Sequence, residues 1–246
     1  IAKQIASDSL QHCTMLDMGM LHTTAGFHLE ADEIFAEIDT VSLTLDQKVY
    51  WYDARQKFLH DYQEYVTTSS IEVPDASQIT RYQDRILEIT SDDIPLNRHI
   101  RILRIIESRD FEKAYEENMA FIASLDKTSR DYAVQTYWQG YICENLDRTE
   151  ELIEWWTESA LCDIQGAIKD NASLCSIAIK LTDPQDTDRA FKYISISLDD
   201  ALFYNAKLRK VQIASTLPWI LKTYTDSKDI QNRYRTSKCY KLRSCL

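Results

Sequence analysis

The sequence predicts an all-α chain built from repeated antiparallel helix pairs. Three observations carry that expectation. The 246 residues include only 4 Gly and 4 Pro, where average usage of about 7% and 5% would supply several times as many. So few turn residues leave room mainly for helices joined by tight connections. Apolar residues recur at helical spacing almost throughout, cut at intervals by turn signals, and strand-like alternation is nowhere sustained. Corresponding positions also repeat: Ala114, Leu152 and Ala190 fall 38 residues apart each time, a period typical of helical repeats.

The elements follow in order. A first helix is expected over about 8–25, closed by Gly26, and a second over about 28–38. Thr44 and Asp46 are placed to cap a long third helix reaching about Thr67, with a loop from Thr67 to Pro74. Asp75 or Ser77 opens the fourth helix, which runs to about Ile89. Asp92-Asp93-Ile94-Pro95 reads as a helix start with Pro in the first turn, and that helix should end near Ser108. Further helices are expected at about 110–125, 128–146, 149–169, 171–181, 186–203 and 206–226. The span 1–226 thus reads as one helical repeat domain. Residues 227–246 read as a basic C-terminal tail, disordered or truncated, and the opening Ile1-Ala2-Lys3-Gln4-Ile5 reads as the closing turns of a helix in a fragment.

Within the pairs, residue types recur at fixed offsets. Gly19 is followed by Gly26 at +7, Ala31 at +12 and Phe35 at +16. Gly140 is followed by Asp147, Leu152 and Trp156 at the same offsets, and Ala178 by Gln185, Ala190 and Ile194. Two antiparallel helices approach closely only where one presents a small residue. A large residue four positions after the +12 site then fills the space toward the next repeat. No pair can bury its apolar face alone, so the pairs stack.

The pattern resembles the tetratricopeptide repeat. Met18-Gly19, Gly26, Ala31 and Phe35 match its signature, and Asp110-Phe111-Glu112-Lys113-Ala114 matches the start of its second helix. Elsewhere Ile102 or Ala178 stands for the glycine and Leu152 for the alanine, and the spacing of 38 exceeds the customary 34. The resemblance implies a right-handed superhelical array of helix pairs, an α-solenoid, whose first helices line a concave face.

Longer stretches, Ser159–Leu174, Asp188–Ile194, Ser197–Arg209 and Ile213–Pro218, resemble a Bacteroidetes family of membrane-bound transcriptional regulators. That likeness implies a sensory, protein- or peptide-binding region on the periplasmic side of the cytoplasmic membrane. A transmembrane helix would be expected near residue 235, yet the chain ends in the basic segment Arg235–Leu246. Membrane attachment is therefore expected only through a segment not present here. A structural scaffold or dimerisation module with no ligand of its own is the alternative function.

Charge and composition narrow the partners. The net charge is -11, but from Lys222 onward seven Lys/Arg face two Asp/Glu, so the body is more acidic still. An acidic body repels nucleic-acid phosphates, and no direct nucleic-acid binding is expected. The cysteines at 13, 143, 162, 175, 239 and 245 show no C-x-x-C spacing, which leaves zinc unsupported. Cys13, Cys143, Cys162 and Cys175 are expected to be small core residues. Phosphate loops, nucleophile elbows and metalloprotease or calcium motifs are absent from the sequence. His12, Cys13, His22 and His28 are the one cluster of metal-ligand types. His12 and His22 lie nearly three turns apart, too far for one helix to bring both to an ion. Neither an enzyme nor a cofactor is expected.

The candidate site is therefore a binding face. Arg98, Arg101 and Arg104 fall at i, i+3 and i+6 on a first helix. They form a basic stripe that either meets an acidic ligand or is neutralised by carboxylates of other helices. Tyr137, Trp138 and Tyr141 form an aromatic cluster on another first helix, either core between repeats or open to the groove. In the tetratricopeptide register, residues three before and one after the glycine position face the groove: His99 and Leu103 in one pair, Tyr137 and Tyr141 in another. Arg98, His99, Arg101, Tyr137 and Tyr141 are the expected partner-binding residues.

Overall fold

In the computed structural model, the described backbone covers residues 2–243 apart from 67–74, 76, 170, 171, 182 and 184. Side chains are described over 8–233, less the same positions and 208. The described residues form eleven α-helices and no strand. They are α1 (Ala2–Ala25), α2 (His28–Ala36), α3 (Leu45–Val66), α4 (Ser77–Ile89), α5 (Pro95–Glu107) and α6 (Phe111–Ile122), then α7 (Arg130–Asn145), α8 (Thr149–Gln165), α9 (Ala172–Lys180), α10 (Thr187–Phe203) and α11 (Lys207–Arg243). The expected Thr67–Pro74 loop lies outside the described residues.

Local chemistry sets these boundaries. Thr44 and Gln47 form a reciprocal capping box at the head of α3: the Gln47 N–H donates to Thr44 Oγ1, and the Thr44 N–H to Gln47 Oε1 at 3.0 Å. Ser129 Oγ accepts from the Tyr132 N–H at 3.1 Å and starts α7. Pro95 stands in the first turn of α5, where its missing N–H is harmless. At the +7 offset the chain turns left-handed: φ is 78° at Gly26, 63° at Arg109 and 57° at Asp147. Each closes its helix with paired backbone bonds, such as Phe27 N to His22 O and Gly26 N to Thr23 O. These bonds satisfy carbonyls the helix end would otherwise orphan.

The chain divides into two compact units. The first comprises Ile1–Phe121 with Asn205–Leu208, the second Ile122–Tyr204 with Arg209–Leu246. In the first unit α1 packs on α2 and α3, and α3 on α4. Leu16, Ala31, Phe35, Ala54 and Phe58 form its core. Full burial of a side chain such as Phe35 contributes roughly 1.5–3 kcal/mol. In the second unit α7 packs on α8, α8 on α9 and α9 on α10. The inner side of α11 adds buried Ile213 and Ile220, and Tyr224 stacks on Phe191 at 4.3 Å.

Ala31, Ala114, Leu152 and Ala190, expected at the +12 offset, are all buried, none above 2% exposed. Phe35, Trp156 and Ile194, at the +16 offset, are buried with them. In α5/α6 the sizes exchange: bulky Ile102 holds the small position and Asn118 the large one, and both are buried.

Two expectations are corrected. Cys13 is exposed, not core: it lies on a face of α1 where Gln47 Nε2 reaches its sulfur at 3.3 Å. The last helix, expected to stop near 226, continues to Arg243. After Pro218 the sequence holds no Gly or Pro, so nothing breaks the helix, and Asp229 and Arg233 stand at the favourable i, i+4 spacing.

Candidate functional site

The first-helix residues singled out from the sequence lie in both units, so each group stands on its own surroundings. In the first unit, α5 carries Arg98, His99, Arg101 and Arg104. Arg98 lays its guanidinium over the Phe121 ring, 4.3 Å from the centroid. Exposed Arg101 pairs with Asp92 at 2.6 Å, and its Nε donates to Asn97 Oδ1 at 2.8 Å. Arg104 reaches back to α4, pairing with Asp84 at 2.6 Å and donating to Gln83 Oε1 and the Thr80 carbonyl, each at 3.1 Å. Two cations of the expected stripe are thus paired with carboxylates, Arg101 with Asp92 and Arg104 with Asp84 of α4. His99 is half-buried and acts on Asp53 of α3. Burial pushes the Asp53 carboxyl above its usual range, while the Gln56 hydrogen bond and the His99 charge pull it back.

In the second unit, α7 presents Tyr137, Trp138 and Tyr141, all half-buried. Tyr137 stacks on Trp156 of α8, with ring centroids 6.4 Å apart and planes at 22°. The Trp156 indole N–H donates to the Tyr137 carbonyl at 3.1 Å. Trp138 meets Tyr137 edge-on at 5.9 Å and Tyr141 at 5.5 Å. Trp156 is core at 3% exposure, so the row has a rigid backing and an accessible edge. Nearby Tyr132 donates to Glu158 at 3.1 Å; burial, then that bond, push its hydroxyl up to about 12.

An aromatic cluster in the first unit was not anticipated. Trp51 and Tyr52 of α3 meet Tyr82 of α4 at 5.4 Å and 6.1 Å. Tyr52 and Tyr82, with Arg81, Asp84, Arg85 and Glu88, line an open cleft of about 370 Å³. The run Tyr50-Trp51-Tyr52 in α3 was the available signal, but its partner lies on a helix with no repeat signature.

The potential metal ligands are dispersed. Cys13 touches Gln47, His22 packs edge-on against Phe27 at 5.8 Å, and His28 sits among aromatic rings of α3. Among the described residues, no group of three or more His, Cys, Asp or Glu side chains could hold a metal ion. Burial raises the thiols of Cys143, Cys162 and Cys175, that of Cys143 to about 11, away from nucleophilic reactivity. Among the described residues no helix is long and apolar enough to cross a membrane.

Residues 1–215 match the family described as the SusR N-terminal TPR domain, TPR denoting the tetratricopeptide repeat. No curated protein and no solved structure matches the chain.

Proposed function

The chain belongs to the SusR N-terminal TPR domain family, and from that membership we propose that it is the peptide- or protein-binding sensory region of a membrane-bound transcriptional regulator. Tetratricopeptide domains are typically interaction modules without catalysis. On this reading the span 1–226 forms the binding module and lies on the periplasmic side, and DNA contact belongs to other segments of a regulator. The acidic net charge of -11 agrees with that division.

One observation carries the reading. The row Tyr137, Trp138 and Tyr141 stands on a first helix, partly exposed and fixed from behind by Trp156. Aromatic side chains held rigid before binding bury large area at low entropic cost, which is how interface anchors work. Arg98, His99 and Arg101, on α5 of the first unit, form a separate candidate contact surface. Their existing partners make them selectors of partner charge more than sources of affinity. A photo-crosslinking residue at position 141 should capture a partner protein or peptide, whereas one at Leu161 on α8 should not. Capture from Leu161 alone would overturn the assignment.

The scaffold or dimerisation reading rests on a different surface. Leu161 and Ile164, three residues apart on α8, are 48% and 57% exposed, and on this reading a second chain covers them. Sedimentation at rising concentration distinguishes the two: a dimer weakened by Leu161→Asp favours the scaffold.

A further inference from the structure

His28 is the first residue of α2 and only 6% exposed. Its ring is enclosed by Tyr62 at 5.2 Å, Tyr65 at 5.4 Å and Phe58 at 6.0 Å, all from α3. Neither ring nitrogen has a hydrogen-bond partner among the described residues. A neutral imidazole offers one N–H and one lone pair; a charged one carries two N–H groups, both needing acceptors. Among the described residues, the aromatic cage supplies ring faces but no acceptor within bonding reach.

Three features oppose a positive charge there. The ring is removed from water without a bonded carboxylate. It stands at the N-terminus of a helix, the positive end of its dipole. Lys57 of α3 and Lys207 of α11 are near enough to repel it, and the Lys207 ammonium lies 3.7 Å from the ring centre of the adjacent Phe27. Facing them, Asp61 of α3 and Glu30 of α2 itself attract a proton, the rings of Tyr62 and Tyr65 line the cage, and His22 of α1 packs on Phe27.

We propose that His28 is an acid-sensitive latch: neutral, it plugs the α3 cage and holds α2 in place; protonated, it leaves the cage and releases the start of α2. The helix is built for release. It has 9 residues and no side-chain cap at its N-terminus, and a helix that short depends on packing rather than on its own hydrogen bonds. Burial, as the largest influence, lowers the affinity of His28 for a proton in the folded state. The unfolded chain therefore binds the proton first as pH falls. The stability His28 contributes is complete above its ordinary value of about 6.5 and is lost as pH drops through and below it.

The test is amide hydrogen exchange on the whole chain at about pH 7.5 and about pH 5.5, corrected for intrinsic exchange rates, in the wild type and in His28→Phe, which fills the cage without titrating. Protection of α2 in the wild type should fall roughly tenfold or more on acidification, while α7 changes little and His28→Phe holds α2 to within about twofold. An equal fall in His28→Phe, or no fall in the wild type, overturns the proposal. Should His28→Phe not fold, NMR titration of the wild-type imidazole decides. Proton uptake by His28 together with loss of α2 protection supports the latch. Uptake with α2 still protected refutes it.

Discussion

Phe35 fills the space that a side chain at Gly19 would need: a Cβ built on Gly19 lies 2.4 Å from Phe35 Cε1. In the second unit Gly140 and Trp156 repeat the relationship, with the corresponding Cβ 2.3 Å from Trp156 Cδ1. The sequence separation is the same in both pairs. The offset read from residue types is therefore a physical contact, in which a glycine on the first helix receives an aromatic ring from the second.

Gly140→Ala should accordingly destabilise the protein. Helix propensity alone would favour alanine by about 1 kcal/mol, but the added methyl must displace the Trp156 ring and break its bond to the Tyr137 carbonyl. Overpacking of this kind costs about 1–3 kcal/mol and the lost hydrogen bond about 1 kcal/mol more, so a net loss of about 1–3 kcal/mol is expected in chemical denaturation. A gain in stability would show that the ring yields freely.

Ala190, 2% exposed, tests the +12 position in the same way. Ala190→Leu should lower stability by about 1–3 kcal/mol through overpacking. An unchanged thermal midpoint would contradict the repeat register in α9/α10.

The left-handed positions at the +7 offset give an opposite pair of outcomes. Gly26, at φ 78°, tolerates no side chain without strain, whereas exposed Arg109 already bears that strain at φ 63°. Gly26→Ala should destabilise by about 1 kcal/mol, while Arg109→Gly should be neutral or stabilising by up to about 1 kcal/mol. Matched denaturation midpoints check both.

Much of the fold was legible because its determinants are local. Gly26, Thr44, Pro95 and Asp147 mark helix ends through their own backbone or side-chain chemistry, and the small–large offsets repeat. What escaped was tertiary. Arg104 is neutralised by Asp84 on another helix, and no spacing rule reports that pairing. The α3/α4 pair has no glycine at a repeat position, so the meeting of Trp51 with Tyr82 had no signature. His28 was grouped with His12, Cys13 and His22 by residue type alone, because its cage comes from α3. Of the expected partner-binding residues, Tyr137 and Tyr141 were legible as members of one aromatic cluster with Trp138, because helical spacing alone brings them together. The exposure of that cluster's outer edge depends on packing that only the structure supplies.

Thiol chemistry offers an independent check on burial. Cys13 is exposed, whereas Cys143, Cys162 and Cys175 are buried with raised thiols. Under native conditions near pH 8, alkylation followed by peptide mass spectrometry should label Cys13 at least about tenfold faster than Cys143. Equal rates would mean that α7/α8 opens readily.

The claim that α7 presents a partner-binding edge is tested most directly by affinity. With a partner captured through position 141, titration calorimetry should compare the wild type with Trp138→Ala, Tyr141→Ala and Glu150→Ala, each first shown to fold by circular dichroism. Loss of an anchor costs about 2 kcal/mol, so the two aromatic variants should bind roughly thirtyfold more weakly, while Glu150→Ala, exposed on α8, stays within about twofold. Wild-type affinity in folded Trp138→Ala and Tyr141→Ala would contradict the account.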